Sequence, residues 1–222
     1  MKLQIPLLSL LTISTFLFCQ NASAQQSGDY HLGFRVAPRI STLGVGIEAA
    51  KGLTPSFGLR AGFNYFSYGY EATESDVSYD LDLELKSFGL MADWHPFQGA
   101  FRLSGGLLIN GNGLTGNAKP TGQVKIGDTD YTLNSIDLEI SYNKLAPYFG
   151  LGWDTTFGDS DNWGFAFDLG LIYSGSPEAS LSLNPANTVS AADLNKEKNE
   201  LQNDLDSLKW WPVVSAGLVY QF

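Results

Sequence analysis

The chain has 222 residues, which suits one ordinary domain or one closed barrel, and its 44% of apolar residues exclude a disordered protein because they are enough to bury a core. Its 23 acidic and 13 basic residues give a formal net charge of −10, which argues against nucleic-acid binding. No apolar run of about 18 residues follows the first 24, which excludes a helical membrane protein.

The chain begins with the parts of a secretory signal peptide. Lys2 supplies the positive charge, and residues 5–18 form an apolar stretch too short to span a membrane as a helix. Residues 22–24, Ala-Ser-Ala, match the small-x-small pattern that precedes a cleavage site. We therefore predict a cleaved leader at residues 1–24 and a barrel domain at residues 25–222.

The single cysteine, Cys19, lies inside the predicted leader. Lipidation of Cys19 is the alternative to cleavage after residue 24, but Phe18 stands where a lipoprotein signal carries a small residue. Cleavage leaves an exported protein without any thiol, so its stability must come from a source other than disulfides. A closed, hydrogen-bonded barrel in lipid is one such source.

Apolar and polar residues alternate with a period of two along most of the remaining chain, which is typical of β-strands with two different faces. Eight segments show the pattern, in chain order at residues 32–37, 43–49, 57–65, 79–94, 101–109, 136–153, 163–173 and 212–222. The apolar phase changes within two of them. The change near residues 86–87 predicts a β-bulge, and a second change occurs near Lys144.

Three features favour a membrane barrel over a soluble β-sandwich. One face of each strand is long and aromatic while the other is small and polar, as expected when the apolar face meets lipid. Aromatic residues cluster at strand ends, as they do at membrane interfaces. Short and long connections alternate, with short ones at residues 51–56, 95–100 and 157–162 and long ones at 114–135 and 174–209.

The most specific pattern is at the end of the chain. Terminal Phe222 follows Tyr220, Leu218 and Ala216 at every second position. This pattern is similar to the signal that the barrel-assembly machinery of Gram-negative bacteria recognises. With residues 30–222 as a whole, it makes the chain resemble the small bacterial outer-membrane β-barrel proteins, the eight-stranded class of the OmpA transmembrane domain.

The resemblance implies an all-β, antiparallel, up-and-down transmembrane barrel of eight strands in the outer membrane of a Gram-negative bacterium. It also implies outer-membrane lipid and lipopolysaccharide as surroundings and the assembly machinery as a partner during biogenesis. We expect a monomer. No activity follows from the resemblance, because the class includes enzymes, adhesins and structural barrels.

Charged residues on the polar face are the first candidate site. Centring two hairpins on their short turns places Glu48 opposite Arg60 and Asp93 opposite Arg102, all facing inward. A third hairpin adds the inward-facing Asp154 and Asp168. Because eight strands leave barely enough room for side chains, the favoured interpretation is a lumen closed by charge pairs. A gated ion path through the same pairs is the alternative.

A second group of charges is acidic. It comprises Asp80, Asp82 and Glu84 on one strand and Asp137 and Glu139 on another, which we expect to face the lumen or its upper mouth. Clustered carboxylates suit Ca²⁺ or Mg²⁺. Their spacing matches no EF-hand or repeat-type calcium loop, so solvated acidic loops are the favoured interpretation. We predict no metal site and no cofactor.

The two histidines do not suit outer-membrane lipid chemistry, which would need a His at the outer rim. His95 lies in a short turn and His31 near the start of the mature chain, both predicted on the periplasmic side. We therefore predict a non-enzymatic barrel with a structural or surface-interaction role. A narrow channel for ions or small solutes is the alternative, and a lipid-modifying enzyme is less favoured.

The last long connection contains the one helical pattern. Ser190 is positioned to cap a helix, with Asp193 three residues later. Leucines then recur at helical spacing among charged residues, at positions 194, 201, 205 and 208. A helix of this length needs a surface on which to bury its leucines, so it is either a lid or partner-binding element or a local cover on the barrel rim.

Overall fold

The computed structural model describes residues 32–74, 77–185 and 188–222. The predicted leader, Cys19 and His31 lie outside the described residues. Within the described part, no helix is long and apolar enough to cross a membrane.

The described residues form thirteen strands and one α-helix. In chain order they are β1 Phe34–Ser41, β2 Gly44–Thr54, β3 Phe57–Glu74, β4 Val77–Trp94, β5 Phe101–Asn110, β6 Gly113–Pro120, β7 Gln123–Ile126, β8 Thr129–Thr132, β9 Ser135–Ser141, β10 Leu145–Asp154, β11 Trp163–Tyr173, β12 Glu178–Asn184, α1 Ala191–Leu205 and β13 Trp210–Gln221.

Eight of these strands close into an antiparallel barrel. Going around the wall, the order is β1, β2, β3, β4, β5, β10, β11 and β13, and β13 pairs back with β1. Every backbone edge in the wall is therefore paired, which is the condition for strands to cross a bilayer. The prediction of an eight-stranded, up-and-down barrel is confirmed.

The barrel is apolar outside and polar inside. On β11 the outward Phe165 is 70% exposed, whereas the inward Asp168 is 2% exposed. The same contrast holds on β4, where Leu90 is outward and Asp93 is buried. A soluble protein has the opposite arrangement, so the exposed apolar band is suited to lipid.

The two ends of the barrel differ. At one end, the start of β1 and the end of β13 lie beside three turns, at residues 55–56, 95–100 and 155–162. At the other end are the extended arms of β3 and β4 and the two long connections. The two-residue turn between β1 and β2, at residues 42–43, is also at this end, so short turns are not confined to one side.

The strands outside the barrel continue its wall. The first half of β4 pairs with β6 instead of β5, and β9 and β12 follow in order. We call this end of the barrel the upper end, and the end with the three turns the lower end. With residues 66–74 of β3, these strands form what we call the external sheet. The hairpin of β7 and β8 and helix α1 pack on one of its faces around a small separate core. The buried centre of that core is Ile126, Leu133 and Leu183.

The predicted β-bulge near residues 86–87 is wrong. All 18 residues of β4 pair with β3 in one continuous register. The apolar phase changes because the surroundings change. Within the barrel, the outward face of β4 carries Phe88 and Leu90 and is suited to lipid. Beyond the barrel, the outward face of β4 meets water, so the apolar residues of this part of the strand, such as Leu85, lie on the inward face.

The segment at residues 136–153, predicted as one strand, is two. β9 belongs to the external sheet, between β6 and β12, whereas β10 lies in the barrel wall between β5 and β11. The phase change near Lys144 therefore marks the place where the chain passes from the external sheet into the barrel.

The predicted helix is present as α1. Ser190 caps it, because its Oγ accepts a hydrogen bond from the Asp193 N–H at 3.1 Å. Of the helix leucines, Leu205 is buried, while Leu208, beyond the helix end, is half-exposed. The helix packs on β12 and β7, so it covers part of the external sheet.

Candidate functional site

The lower half of the lumen holds a network of ion pairs, which we call the lumen network. It contains the four arginines Arg35, Arg39, Arg60 and Arg102 and the four carboxylates Glu48, Asp93, Asp154 and Asp168. Equal numbers of positive and negative groups make the network formally neutral. All of these side chains are almost inaccessible to solvent, Glu48 being the most open at 12%.

Arg60 lies at the centre of this network. Its Nη1 donates to Glu48 Oε2 at 2.8 Å, and its Nε donates to Asp93 Oδ2 at 3.0 Å. Its Nη2 also donates to the hydroxyl of Ser104 at 3.1 Å, and that hydroxyl donates to Asp93 Oδ1 at 2.6 Å. Arg60 thus joins β2, β3, β4 and β5 across the lumen.

Arg102 of β5 and Asp168 of β11 extend the network along the other side of the barrel. Arg102 Nη2 donates to Asp168 Oδ1 at 2.9 Å, and Arg102 Nη1 reaches Asp154 Oδ2 at 3.4 Å. Asp168 also accepts from Arg39, and Asp154 accepts from Arg35 Nη1 at 2.7 Å. Each carboxylate is therefore shared or paired, as a buried charge requires.

The predicted registers place the right residues inward, and of the two predicted ion pairs Glu48–Arg60 is present. In the wall, Glu48 lies opposite Gly62, and it reaches Arg60 diagonally. Asp93 lies opposite Ser104, and its ion-pair partner is Arg60, so the predicted Asp93–Arg102 pair is wrong. Arg102 pairs instead with Asp168 and Asp154.

Two arginines of the lumen network were not predicted. Arg35 lies on the polar face of the first alternating segment, and Arg39 follows two positions beyond Ala37 on the same face. The alternation could have revealed Arg39, but Pro38 ends the recognisable pattern. In the structure β1 continues through Pro38, which lies opposite Ile47 of β2.

An aromatic stack lies at the end of the lumen with the three turns at residues 55–56, 95–100 and 155–162. The rings of His95 and Phe157 are parallel, with centroids 3.4 Å apart, and the guanidinium of Arg35 lies over Phe157. His95 Nδ1 donates to the Gly99 carbonyl at 2.7 Å. Burial lowers the pKa of His95, because the charged imidazolium would lose its hydration there. His95 is thus fixed in the stack and is not at the outer rim.

The upper half of the lumen contains a buried apolar cluster, with the hydrogen-bonded Asn64 and Ser87 beside it. This buried cluster comes from four barrel strands and one turn: Leu43, Leu108, Ala146, Tyr148, Ile172 and Val213. Between this cluster and the lumen network lies a cavity of about 40 Å³, lined by Arg39, Glu48 and Asp168 on one side and Leu108 on the other. The lumen therefore has a polar layer and an apolar layer in series.

The predicted acidic mouth does not line the lumen. Asp80, Asp82 and Glu84 share the outward face of β4 with the lipid-exposed Phe88 and Leu90. Asp137 and Glu139 lie on the same face of the external sheet, because their rows run through Asn117 and Thr115 of β6. This position is a correction of the prediction, and it follows from the uninterrupted register of β4.

The acidic face is concave and solvent-exposed. A depression of about 270 Å³ lies among its carboxylates and the hydroxyls of Ser180 and Ser182. Asn117 donates to Asp137 at 2.5 Å. Among the described residues, no group of three or more His, Cys, Asp and Glu side chains is arranged to hold a metal ion.

The fold of this chain is similar to that of known solved structures. No family model matches the chain, and no curated protein matches it. Among solved structures, CarO2 of Acinetobacter baumannii is 25% identical, with a TM-score of 0.58 over 86% of this chain and 99% of that chain. CarO of the same organism is 23% identical, with a TM-score of 0.56 over 86% and 98%.

The protein is a small β-barrel of the outer-membrane type. A major outer membrane protein from Thermus thermophilus is also similar, at 15% identity and a TM-score of 0.40 over 85% of this chain and 99% of that chain. The likeness to the two Acinetobacter structures concerns the fold.

The residues of the predicted assembly signal lie on the lipid side of this outer-membrane barrel. Leu218 and Phe222 are exposed on the outside of β13 and at its end. The Phe222 ring packs against Tyr220 with centroids 4.9 Å apart, and Tyr220 packs against Trp163 at 4.8 Å. Phe222 and Tyr220 thus belong to an aromatic cluster at the end of the barrel with the three turns. Recognition by the assembly machinery stays a prediction.

Polar contacts fix the external helix of the outer-membrane barrel to the β7–β8 hairpin. Asp193 accepts from the Tyr131 hydroxyl at 2.7 Å and from Ser190 Oγ at 2.8 Å, and these hydrogen bonds lower its pKa to about 2. Glu197 accepts from the Gly127 N–H at 3.0 Å. The exposed pair of Lys196 and Asp128 contributes little, because water screens it.

Proposed function

We propose that the protein is a closed, non-enzymatic outer-membrane barrel that holds the external sheet at the cell surface for interaction with a partner. The observation that carries the proposal is the two-layer filling of the lumen. In this proposal, outer-membrane lipid and lipopolysaccharide surround the exposed apolar band, and the protein acts as a monomer.

A permeating ion would have to pass both layers of the lumen. In the lower layer, Arg60 and Arg102 have side chains 2% and 1% exposed, and their partners surround them. The cavity above could hold only about three water molecules at 10–15 Å³ each. In the upper layer, the side chains of Leu108, Ile172 and Val213 offer an ion no polar partner, so its desolvation would cost several kcal/mol.

A narrow channel is the second candidate. Its support is the cavity itself, since Arg39, Glu48 and Asp168 line it with both signs of charge. A channel would require the lumen network to rearrange and the apolar layer to open.

The experiment has two parts. First, the purified protein is reconstituted in planar bilayers, where we expect no conductance steps, and steady steps from the wild-type protein would overturn the closed-barrel proposal. Second, cells carry either the full chain or a trimmed barrel in which short turns replace residues 67–84, 112–143 and 175–209. We expect the trimmed barrel to assemble and to lose surface adhesion, and equal adhesion would refute a role for the external sheet.

A further inference from the structure

The upper part of β3 is an open edge of the external sheet. β2 pairs with β3 only as far as Tyr65, whereas β4 pairs with it along its whole length. Residues 66–74 therefore have a neighbour on one side, and no strand among the described residues lies on the other side. Long unpaired edges are uncommon in soluble sheets because they accept further strands.

The direction of the free backbone groups can be assigned. The carbonyl oxygens of Phe63 and Tyr65 point toward β2, against Gly46 and Gly44. Backbone groups of a strand alternate in direction, so the N–H and C=O groups further along at every second position also point away from β4. Those residues are Ser67, Gly69, Glu71 and Thr73.

The two faces of this edge differ in chemistry. On the inner face, Phe66, Tyr68 and Tyr70 are 40%, 55% and 51% exposed, which is a large aromatic surface outside the lipid band. On the outer face, Glu71 lies opposite Asp80, and Gly69 lies opposite Asp82. An added strand would thus meet aromatic rings on one face and carboxylates on the other.

The opposite edge strand of the external sheet is β12, which is shorter and lies against a helix. α1 packs on β12, and Gln202 of the helix donates to the Pro177 carbonyl at 2.8 Å just before the strand. Residues 66–74, by contrast, have no strand beside them among the described residues, and this unpaired run is longer than the seven residues of β12. A long unpaired edge is the better site for an added strand.

We propose that an extended polypeptide segment with alternating basic and apolar residues binds as an additional strand along residues 66–74. Its backbone pairs with Ser67, Gly69, Glu71 and Thr73, which is strand addition to a sheet edge. Its basic residues lie on the outer face beside Glu71, Asp80 and Asp82. Its apolar residues pack against the exposed aromatic rings. The inference rests on the proposed surface-interaction function and specifies its partner.

A second copy of the chain fits this edge less well. Two copies in one membrane have the same orientation, so their β3 strands could meet only in parallel, which is the weaker pairing. The copies would also bring two acidic outer faces together, on chains with a formal charge of −10 each. Charge and direction therefore both favour a basic segment from another molecule.

The test measures binding of a labelled, capped peptide that alternates lysine and valine and matches residues 66–74 in length. Fluorescence anisotropy is followed as the full-length barrel in nanodiscs is titrated into the peptide. We expect saturable binding to the lysine–valine peptide. We expect no binding to a glutamate–valine peptide or to a lysine–valine peptide that is N-methylated at alternate residues.

Ser67→Pro tests the backbone pairing. Its N–H points to the open side, so proline removes no bond to β4 and the barrel should still fold. We expect it to weaken binding about tenfold, because it removes a pairing group and obstructs its neighbours. Ser67→Ala is the matched control, since it loses the hydroxyl but keeps the N–H, and it should bind as the wild type does.

Charge reversal tests the position of the segment. Glu71→Lys should weaken binding about fivefold, the effect expected for one exposed ion pair replaced by repulsion. Glu178→Lys changes the same charge on the same face, but on β12 at the opposite edge of the sheet. It should change binding little, whereas equal losses in both variants would mean non-specific attraction to the acidic face.

Unchanged binding to Ser67→Pro and to the N-methylated peptide would overturn the proposal. Dimers of the wild-type protein that Ser67→Pro abolishes would show that a second copy occupies the edge, which also overturns it. Failure of the proposed function is distinguishable from both outcomes. In that case the trimmed barrel would adhere as the full chain does, regardless of peptide binding.

Discussion

Replacing Arg60 with alanine is the most direct test of the lumen network. Arg60 contacts Glu48 and Asp93 at 3.0 Å or less and lies 3.4 Å from Asp168. In Arg60→Ala, Asp93 keeps only the Ser104 hydroxyl as a partner, while its side chain stays 2% exposed. The variant therefore leaves an ionised group uncompensated in a confined space.

The expected cost differs among the members of the network. A buried pair broken on one side typically loses about 3–5 kcal/mol, and we expect Arg60→Ala to fall in this range. Glu48→Ala should cost less, about 1–3 kcal/mol, because Arg60 keeps Asp93 and Glu48 is the most open carboxylate of the set. The two changes together should cost less than their sum, since neither charge is then left without the other.

The assay is urea-induced unfolding of the refolded barrel in lipid vesicles, followed by tryptophan fluorescence and by the mobility of the folded form on detergent gels. Arg60→Ala, Asp93→Ala and the double variant form a second cycle, in which we expect stronger coupling than for Glu48. Lys196→Ala is the control, because its pair with Asp128 is exposed and screened by water, so its loss should change the stability little.

A loss below about 1 kcal/mol for Arg60→Ala, with additive double variants, would refute the argument. It would mean that the network is hydrated and that its charges do not depend on one another. Bilayer conductance of the same variants gives a second readout. Because the apolar layer around Leu108 and Tyr148 is untouched, Arg60→Ala should stay non-conducting, and new conductance would support the channel alternative.

Three further predictions concern folding, assembly and the external helix. The unboiled protein should migrate differently from the boiled protein on a detergent gel, because a closed barrel resists detergent unfolding; equal migration of a folded preparation would contradict the fold. Deletion of Phe222 should reduce the amount in the outer membrane with little effect on export, measured by cell fractionation, and normal outer-membrane levels would contradict a role in assembly. The stabilising contacts of Asp193, whose pKa is lowered to about 2, should be complete above pH 4 and lost as the pH falls from about 4 to 2. Amide exchange of residues 188–209 should therefore accelerate over that range in the wild type and change less in Asp193→Asn.

The sequence predicts the barrel wall well because two different surroundings act on each strand. Lipid outside and a packed lumen inside impose the same alternation on residues 163–173 that the structure shows for β11. The assignment of side chains to the inward or outward face was correct even though the predicted register of the hairpins was wrong. The predicted hairpins were displaced by two positions, and since side chains alternate with a period of two, Glu48, Arg60 and Asp93 still point inward.

Of the ion pairs inside the lumen, Glu48–Arg60 was predicted and is present, but the others could not be predicted in the same way. Arginine side chains are long, so Arg60 reaches diagonally to Glu48 and across the wall to Asp93. An irregularity between Gly52 and Thr54 also shifts the first hairpin, and nothing in the alternation reveals it. The pairing therefore depends on turn geometry and side-chain reach, which a periodic pattern does not contain.

The predicted position of the acidic residues was wrong for a different reason. Asp80, Asp82 and Glu84 alternate with leucines as regularly as any barrel segment. A period of two separates the faces of a strand but does not say which face is outside. Above the membrane, water replaces lipid, so the polar face of the same strand becomes the outward one.

The uninterrupted pairing of β3 with β4 has a mechanical consequence. Both strands have 18 residues and run about 60 Å from a turn at one end of the barrel to the tip of the external sheet. A pull on the tip by a tethered object would act along both strands at once, so the backbone hydrogen bonds that join them to their outer neighbours β2 and β5 would share the load in shear. No hinge separates the tip from the wall along this pair, and the drag of a bound particle would be transmitted directly to the membrane.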